Sequence, residues 1–102
     1  LPTDRFTFVG FLPKKGLNNF LEELKAYKDS TIIAFESPNR VLKSLEAIKE
    51  VYGENTTVCI ARELTKLHEE YIRGRVVEVL EELNKRGEIK GEVVILWRMV
   101  ED

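Results

Sequence analysis

Glutamine is absent from this chain of 102 residues, and cysteine, methionine, tryptophan and histidine occur once each. A single cysteine, Cys59, excludes an internal disulfide. It sits in the apolar run Thr57-Val58-Cys59-Ile60-Ala61, which predicts a small core residue in a reducing, cytoplasmic compartment. No apolar run approaches the ~18 residues that a membrane span requires, so no membrane partner is expected. The six glycines are isolated from one another. There is accordingly no G-x-G pattern, no Walker loop and no zinc signature. The lone histidine, His68, has no serine or cysteine motif around it and too few ligands at fixed spacing for a metal site, so no metal is expected. A net charge of −2 removes any global attraction to nucleic acid and leaves room only for a local basic patch. Few thermolabile residues, set against many Lys and Glu, lean towards a thermophilic source.

What is present is a 43% apolar and 33% charged composition, the balance of a soluble globular protein with a heavily charged surface. The length suits one domain with a modest core. Leu1 stands where a methionine would begin a chain, and a strand follows almost at once, so a fragment of a longer protein is expected.

Arg5 to Phe11 reads as a strand with Phe6, Phe8 and Gly10 on one face and Thr7, Val9 and Phe11 on the other, which predicts cover on both faces. Pro13 and Gly16 punctuate a loop, and Leu17, Phe20, Leu21 and Leu24 then give a helical stripe to about Lys28. Thr31 to Phe35 is a second buried strand. Ser37 and Pro38 fit the N-cap and first position of a helix that carries Val41, Leu42, Leu45, Ile48 and Tyr52 and stops at Gly53. A third strand runs from Thr56 to Ala61, a short fourth from Glu70 to Arg73. Val76, Val79, Leu80 and Leu83 mark a third helix, and Glu92 to Val100 is the last strand. The order β-α-β-α-β-β-α-β predicts an α/β fold with a mixed, mostly parallel five-stranded sheet flanked by three helices.

In such sheets ligands bind beyond the carboxyl ends of the strands. Three polar segments leave strand ends: Pro13-Lys14-Lys15, Glu36-Ser37-Pro38-Asn39-Arg40, and Arg62-Glu63-Leu64-Thr65-Lys66. Parallel strands would gather all three on one edge. Lys14 and Lys15 could grip phosphates or simply be solvated. Glu36 ends an otherwise apolar strand, and Arg40 lies in a first helical turn, where acids are the usual choice. An internal ion pair between them and an anion or RNA contact by Arg40 are both open. Arg62 and Glu63 could pair with Glu36 and Arg40 across neighbouring strand ends. Phe6, Phe8 and Phe11 read as core, with Phe11 the candidate for exposure. No complete catalytic apparatus is visible, and the catalytic residues are left unassigned.

The motifs Leu1-Pro2-Thr3-Asp4-Arg5-Phe6 and Gly10-Phe11-Leu12-Pro13-Lys14-Lys15 resemble those of the bacterial ribosomal RNA small subunit methyltransferase I family. So do Phe35-Glu36-Ser37-Pro38-Asn39-Arg40, the stretch Ala61 to Glu70, and Lys90-Gly91-Glu92. The resemblance covers nearly the whole chain, in order. It implies the tetrapyrrole methylase superfamily, two α/β subdomains with S-adenosylmethionine between them, methylation of the ribose 2′-hydroxyl of a cytidine in small-subunit ribosomal RNA, and a homodimer. This chain would be the C-terminal subdomain alone, inactive by itself, with the cofactor bound mainly by the absent N-terminal half. Glu36, Leu64 and Thr65 would then meet the cofactor. Lys14, Lys15, Arg40, Arg62, Glu63 and Lys66 would face RNA or the cleft. Asn39 stands where the family often has histidine, and Arg75 where a small hydroxyl residue is common. Two rival readings are a tetrapyrrole methylase acting on a small ring substrate and a non-catalytic RNA- or partner-binding module.

Overall fold

In the computed structural model, residues 5–27, 29–65, 67–87 and 89–98 are described here. The elements run β1 (Arg5–Phe11), α1 (Leu17–Glu23), β2 (Ser30–Glu36), α2 (Val41–Tyr52), β3 (Thr57–Thr65), β4 (His68–Arg75), α3 (Val76–Arg86) and β5 (Val93–Arg98). Two 3-10 turns join them, one extending α1 over Leu24–Tyr27 and one over Pro38–Arg40 leading into α2. The expected element order holds. The first helix is shorter than its apolar stripe suggests, and its expected end at Lys28 lies outside the described residues.

The sheet is mixed, in the order β1-β2-β5-β3-β4. β1 and β2 pair in parallel, while β2–β5, β5–β3 and β3–β4 pair antiparallel. Strands β1, β2 and β3 therefore point the same way. The mostly parallel character holds for strand direction but not for neighbours, because β5 inserts between β2 and β3.

All three helices lie on one face. The lateral order explains this. β1, β2 and β3 advance in one direction across the sheet, so right-handed crossovers carry α1 and α2 over the same side. α3 links β4 back to β5; both the strand direction and the lateral step are reversed, which returns it to that side. Beneath the helices, Ile32, Ala34, Val58, Ile60, Val93, Ile95 and Trp97 pack with Leu21, Val41, Leu45, Ile48, Val76, Val79 and Leu83, all essentially excluded from solvent. Burying each large aliphatic side chain is worth ~1.5–3 kcal/mol. Tyr52 locks two helices together by donating its phenolic hydrogen to the Leu21 carbonyl, and burial pushes its pKa up to about 12.

The opposite face corrects the expectation that β1 is covered on both sides. Phe6, Phe8 and Phe11 are 61%, 59% and 69% exposed. A register shift between Phe8 and Gly10 turns Phe11 to the same side as Phe6 and Phe8, where Phe8 and Phe11 both contact the Phe35 ring. Cys59 is likewise half-buried on this face rather than a core residue.

Candidate functional site

The common direction of β1, β2 and β3 brings their carboxyl ends to one edge of the sheet. Leu12 N donates to the Phe35 carbonyl at 3.3 Å, which holds the start of the Lys14–Lys15 loop against the end of β2. Both lysines are exposed there. Next along the edge comes the Glu36 turn, then the start of β5, then the end of β3. The last two are separated from β2 by one and two strand steps of about 4.8 Å.

Glu36 is only 3% exposed and faces the helical layer. A buried carboxylate is tolerable only when its oxygens are hydrogen-bonded. Here Ser37 N donates to Oε1 at 2.8 Å, and Ser44 Oγ, inside α2, donates to Oε2. Arg40 Nε lies 3.8 Å from Oε1, a loose ion pair, and it is buried without a hydrogen-bond partner. The internal pairing anticipated for Glu36 and Arg40 is present, and the Glu36 carboxylate acts as a bracket between the strand end and α2. Only its main chain is left to meet a ligand. Ser37 accepts at its carbonyl from Arg40 N and makes no side-chain cap.

The charged run after the third strand is not a loop. β3 continues to Thr65 and β4 begins at His68, so the run forms the end of a hairpin. Period-two alternation persists through the charges, and that alternation decides where each one points. Arg62 turns towards the helices and donates from Nε to Glu70 Oε1 at 2.7 Å. Glu70 also accepts from Arg86 at the end of α3, and Arg86 in turn pairs with Glu82 at 3.1 Å. The guanidinium of Arg86, and after it that of Arg62, hold the Glu70 carboxyl below the usual carboxylate range. The cross-strand pairing anticipated between Arg62 or Glu63 and Glu36 or Arg40 is replaced by this Arg62–Glu70–Arg86 relay, because β5 separates the two strand ends. Glu63 points to the opposite face, beside Glu69, Tyr71 and Glu92, around a depression of about 160 Å³. Leu64 and Thr65 close β3. Lys66 lies outside the described residues.

One contributor at this edge was visible in the sequence only as a motif. Gly91, with φ +87°, lies so close to the hairpin that a Cβ there would sit 2.3 Å from the Glu63 carbonyl oxygen. Lys90-Gly91-Glu92 is thus wedged between the Glu36 turn and the hairpin. The strand order that places it there does not follow from local pattern. Among the described residues there is no cluster of three or more metal-ligating side chains.

No family model matches the chain. Curated relatives do. Ribosomal RNA small subunit methyltransferase I of Hydrogenobaculum sp. (strain Y04AAS1) is 50% identical over 96 residues, which cover 94% of this chain and 41% of that protein. The Thermotoga maritima protein of the same name is 41% identical, covering 93% and 42%. The one from Rickettsia prowazekii is 42% identical, covering 94% and 34%. The chain spans about two fifths or less of the length of these relatives. Among solved structures, cobalt precorrin-4 methyltransferase CbiF, a cobalamin biosynthetic enzyme, superposes with a TM-score of 0.65 at 21% identity, over 96% of this chain and 42% of that one. The methyltransferase CobJ follows at 0.60 and 15%. Over nearly its whole length the chain is therefore homologous to part of ribosomal RNA small subunit methyltransferase I, and its mixed sheet with three helices is the fold found in those two methyltransferases.

Proposed function

We propose that this chain is the second α/β subdomain of an S-adenosylmethionine-dependent methyltransferase that modifies the ribose 2′-hydroxyl of a cytidine in small-subunit ribosomal RNA. The whole protein would act as a cytoplasmic homodimer. The observation that carries this reading is the meeting, on one sheet edge, of the segments that resemble the methyltransferase family: Lys14–Lys15, Glu36–Arg40, the Arg62 hairpin and Lys90–Glu92.

The fit to the cofactor is that of a wall. Small-molecule sites enclose ~300–1,000 Å³, whereas the depression at the hairpin holds about 160 Å³ and is lined by Glu63, Glu69 and Glu92. The remaining walls belong to a first subdomain. From this half, the main chain at Glu36 and at Leu64–Thr65 would border the adenosine. S-adenosylmethionine, when bound, supplies an activated methyl group. This chain's residues supply position, since alignment of reacting groups removes much of the barrier to such a transfer. Lys14, Lys15 and Lys66 would meet RNA phosphates, and Arg40 and Glu63 would line the cleft. Arg62, bound to Glu70, would hold the hairpin in register rather than touch RNA itself.

The test uses purified full-length protein, methyl-labelled S-adenosylmethionine and small ribosomal subunits lacking the modification. Label at a cytidine 2′-oxygen with the full-length protein, and none with residues 1–102 alone, is the expected result. Robust labelling by residues 1–102, or label on a small tetrapyrrole and not on RNA, overturns it. RNA binding that survives replacement of Lys14 and Lys15 by alanine with an unchanged salt slope overturns the phosphate role, because each lost phosphate contact lowers that slope by ~0.7–0.9.

A further inference from the structure

Arg40 carries a guanidinium that the fold holds in place without bonding it. Its side chain is 18% exposed, and its Nε is buried with no hydrogen-bond partner. The residual exposure therefore belongs to other atoms of that side chain. The Glu36 carboxylate lies 3.8 Å from Nε, beyond hydrogen-bond reach. Both of its oxygens are already engaged, Oε1 by Ser37 N and Oε2 by Ser44 Oγ. An arginine present only to neutralise that carboxylate would close on it as a two-pronged pair. Here the attraction is one of charge alone, and among the described residues no guanidinium donor of Arg40 is hydrogen-bonded. A buried charged donor left unmade is costly, so such a group calls for a partner. The surroundings set the sign of that partner. Arg40 sits at the N-cap of α2 and exposed Lys43 in its first turn, with no acidic residue there. Lys14 and Lys15 stand exposed on the same sheet edge.

We propose that Arg40 is the receptor for a single oxyanion at this sheet edge, and that Ser44 is its positioning residue, acting through Glu36. Ser44 lies one turn into α2 and is wholly excluded from solvent. Its hydroxyl ties one carboxylate oxygen to the helix, while the Ser37 amide ties the other to the turn. The carboxylate is thus fixed, and it orients the guanidinium by charge, with Nε inward. Four of the five guanidinium donors are on the terminal nitrogens. Their planar fork matches two oxygens of a carboxylate or a phosphate, which the point charge of a lysine does not. Two sources carry that chemistry: the carboxylate of S-adenosylmethionine and a phosphate of RNA. The inference rests on the methyltransferase reading for those two sources, and on Arg40 itself for the oxyanion.

The experiment uses the full-length protein, with circular dichroism to confirm that each variant is folded at the assay temperature. Binding is measured in two arms at fixed salt: S-adenosylmethionine by calorimetry, and unmodified small ribosomal subunits by filter retention. Arg40→Lys keeps the charge beside Glu36 and removes the fork. It should weaken one arm about tenfold or more and leave the other unchanged. Loss in the cofactor arm identifies the carboxylate as the bound oxyanion; loss in the subunit arm identifies a phosphate. Ser44→Ala should weaken the same arm about threefold, and should weaken it no further in the Arg40→Lys background, since Ser44 acts through Arg40. A serine that only supported the fold would lower stability and leave that arm alone. Independently of either ligand, inorganic phosphate should shift the side-chain Nε–H resonance of Arg40, assigned as the signal missing from Arg40→Lys. Indifference of both arms to Arg40→Lys, equal loss in both, additive losses in the double variant, or an Arg40 resonance silent to phosphate overturns the proposal. If the wild-type protein binds neither ligand, the phosphate titration decides alone. Methyl transfer is assayed separately, so this inference and the reading of the activity fail independently.

Discussion

Ile60 and Cys59 are neighbours in sequence and lie on opposite faces of one strand. Ile60 is sealed beneath α2 and α3, while Cys59 looks out among the exposed aromatics. The same contrast repeats along β2, where Ile32 and Ala34 are buried and Ile33 and Phe35 are not. The apolar content of the two faces is similar. What separates them is the cover that three right-handed connections provide, all on one side. Apolarity in a strand therefore does not by itself say which face is buried; the connectivity decides which face the helices cover.

Substitutions can break or sharpen this contrast. The largest effect should come from Ile60→Ala, which opens a cavity in the helical layer and should cost about 2–5 kcal/mol in urea unfolding, against well under 1 kcal/mol for Cys59→Ala. Equal costs would mean that the open face is part of the folded core. Next is Gly91→Ala. Its positive φ and the 2.3 Å approach to the Glu63 carbonyl force the hairpin or the start of β5 to move, at a cost of roughly 1–3 kcal/mol. Chemical shifts should change from Glu63 to Glu69 and stay fixed in α1; a silent hairpin would show that Gly91 is merely a turn residue.

Ser44→Ala comes third. It removes one of two short-range donors from the buried Glu36 carboxylate and should lower stability by ~1–3 kcal/mol. The double change Ser44→Ala with Glu36→Gln should not recover that loss, since it leaves the Arg40 guanidinium without its carboxylate. The smallest effect is one of pH. Glu70 has a lowered pKa in the folded state, so its contribution is present above the unfolded-state value and lost as pH falls through the folded value. Glu70→Gln should flatten that acid limb of the stability curve and leave the neutral region with only the loss of the ion pairs. An unchanged acid limb would place the pH dependence elsewhere.

Much of this was legible in the residues. The spacing of Leu17, Phe20, Leu21 and Leu24, and of Val76, Val79, Leu80 and Leu83, identified helices, and the apolar runs identified strands, because burial imposes those periods directly. The gathering of strand ends also followed from element order. Three things did not follow. β5 lies between β2 and β3, and long-range pairing leaves no local trace, so Arg62 was set against Glu36 when its partner is Glu70. The strands extend through the charged run, beyond the expected end at Ala61 and start at Glu70, because cross-strand pairs such as Arg62–Glu70 sustain a ladder that the low strand propensity of charged residues conceals. The exposure of the β1 phenylalanines does not follow from the sequence, because side-chain polarity alone does not tell which face of a strand the helices will cover.

The irregularity in β1, where the register slips between Phe8 and Gly10, has a bearing on solubility. β1 is an outer strand, bonded to β2 on one side, and its other side carries main-chain donors and acceptors that could template a further strand. A stretch bearing three exposed phenylalanines would be a hazardous place for an uninterrupted ladder. The slip at Gly10 breaks the repeat midway, so an incoming strand in register with Arg5–Phe8 falls out of register at Phe11. The slip thus interrupts the outer edge at the point where a further strand would otherwise continue the ladder.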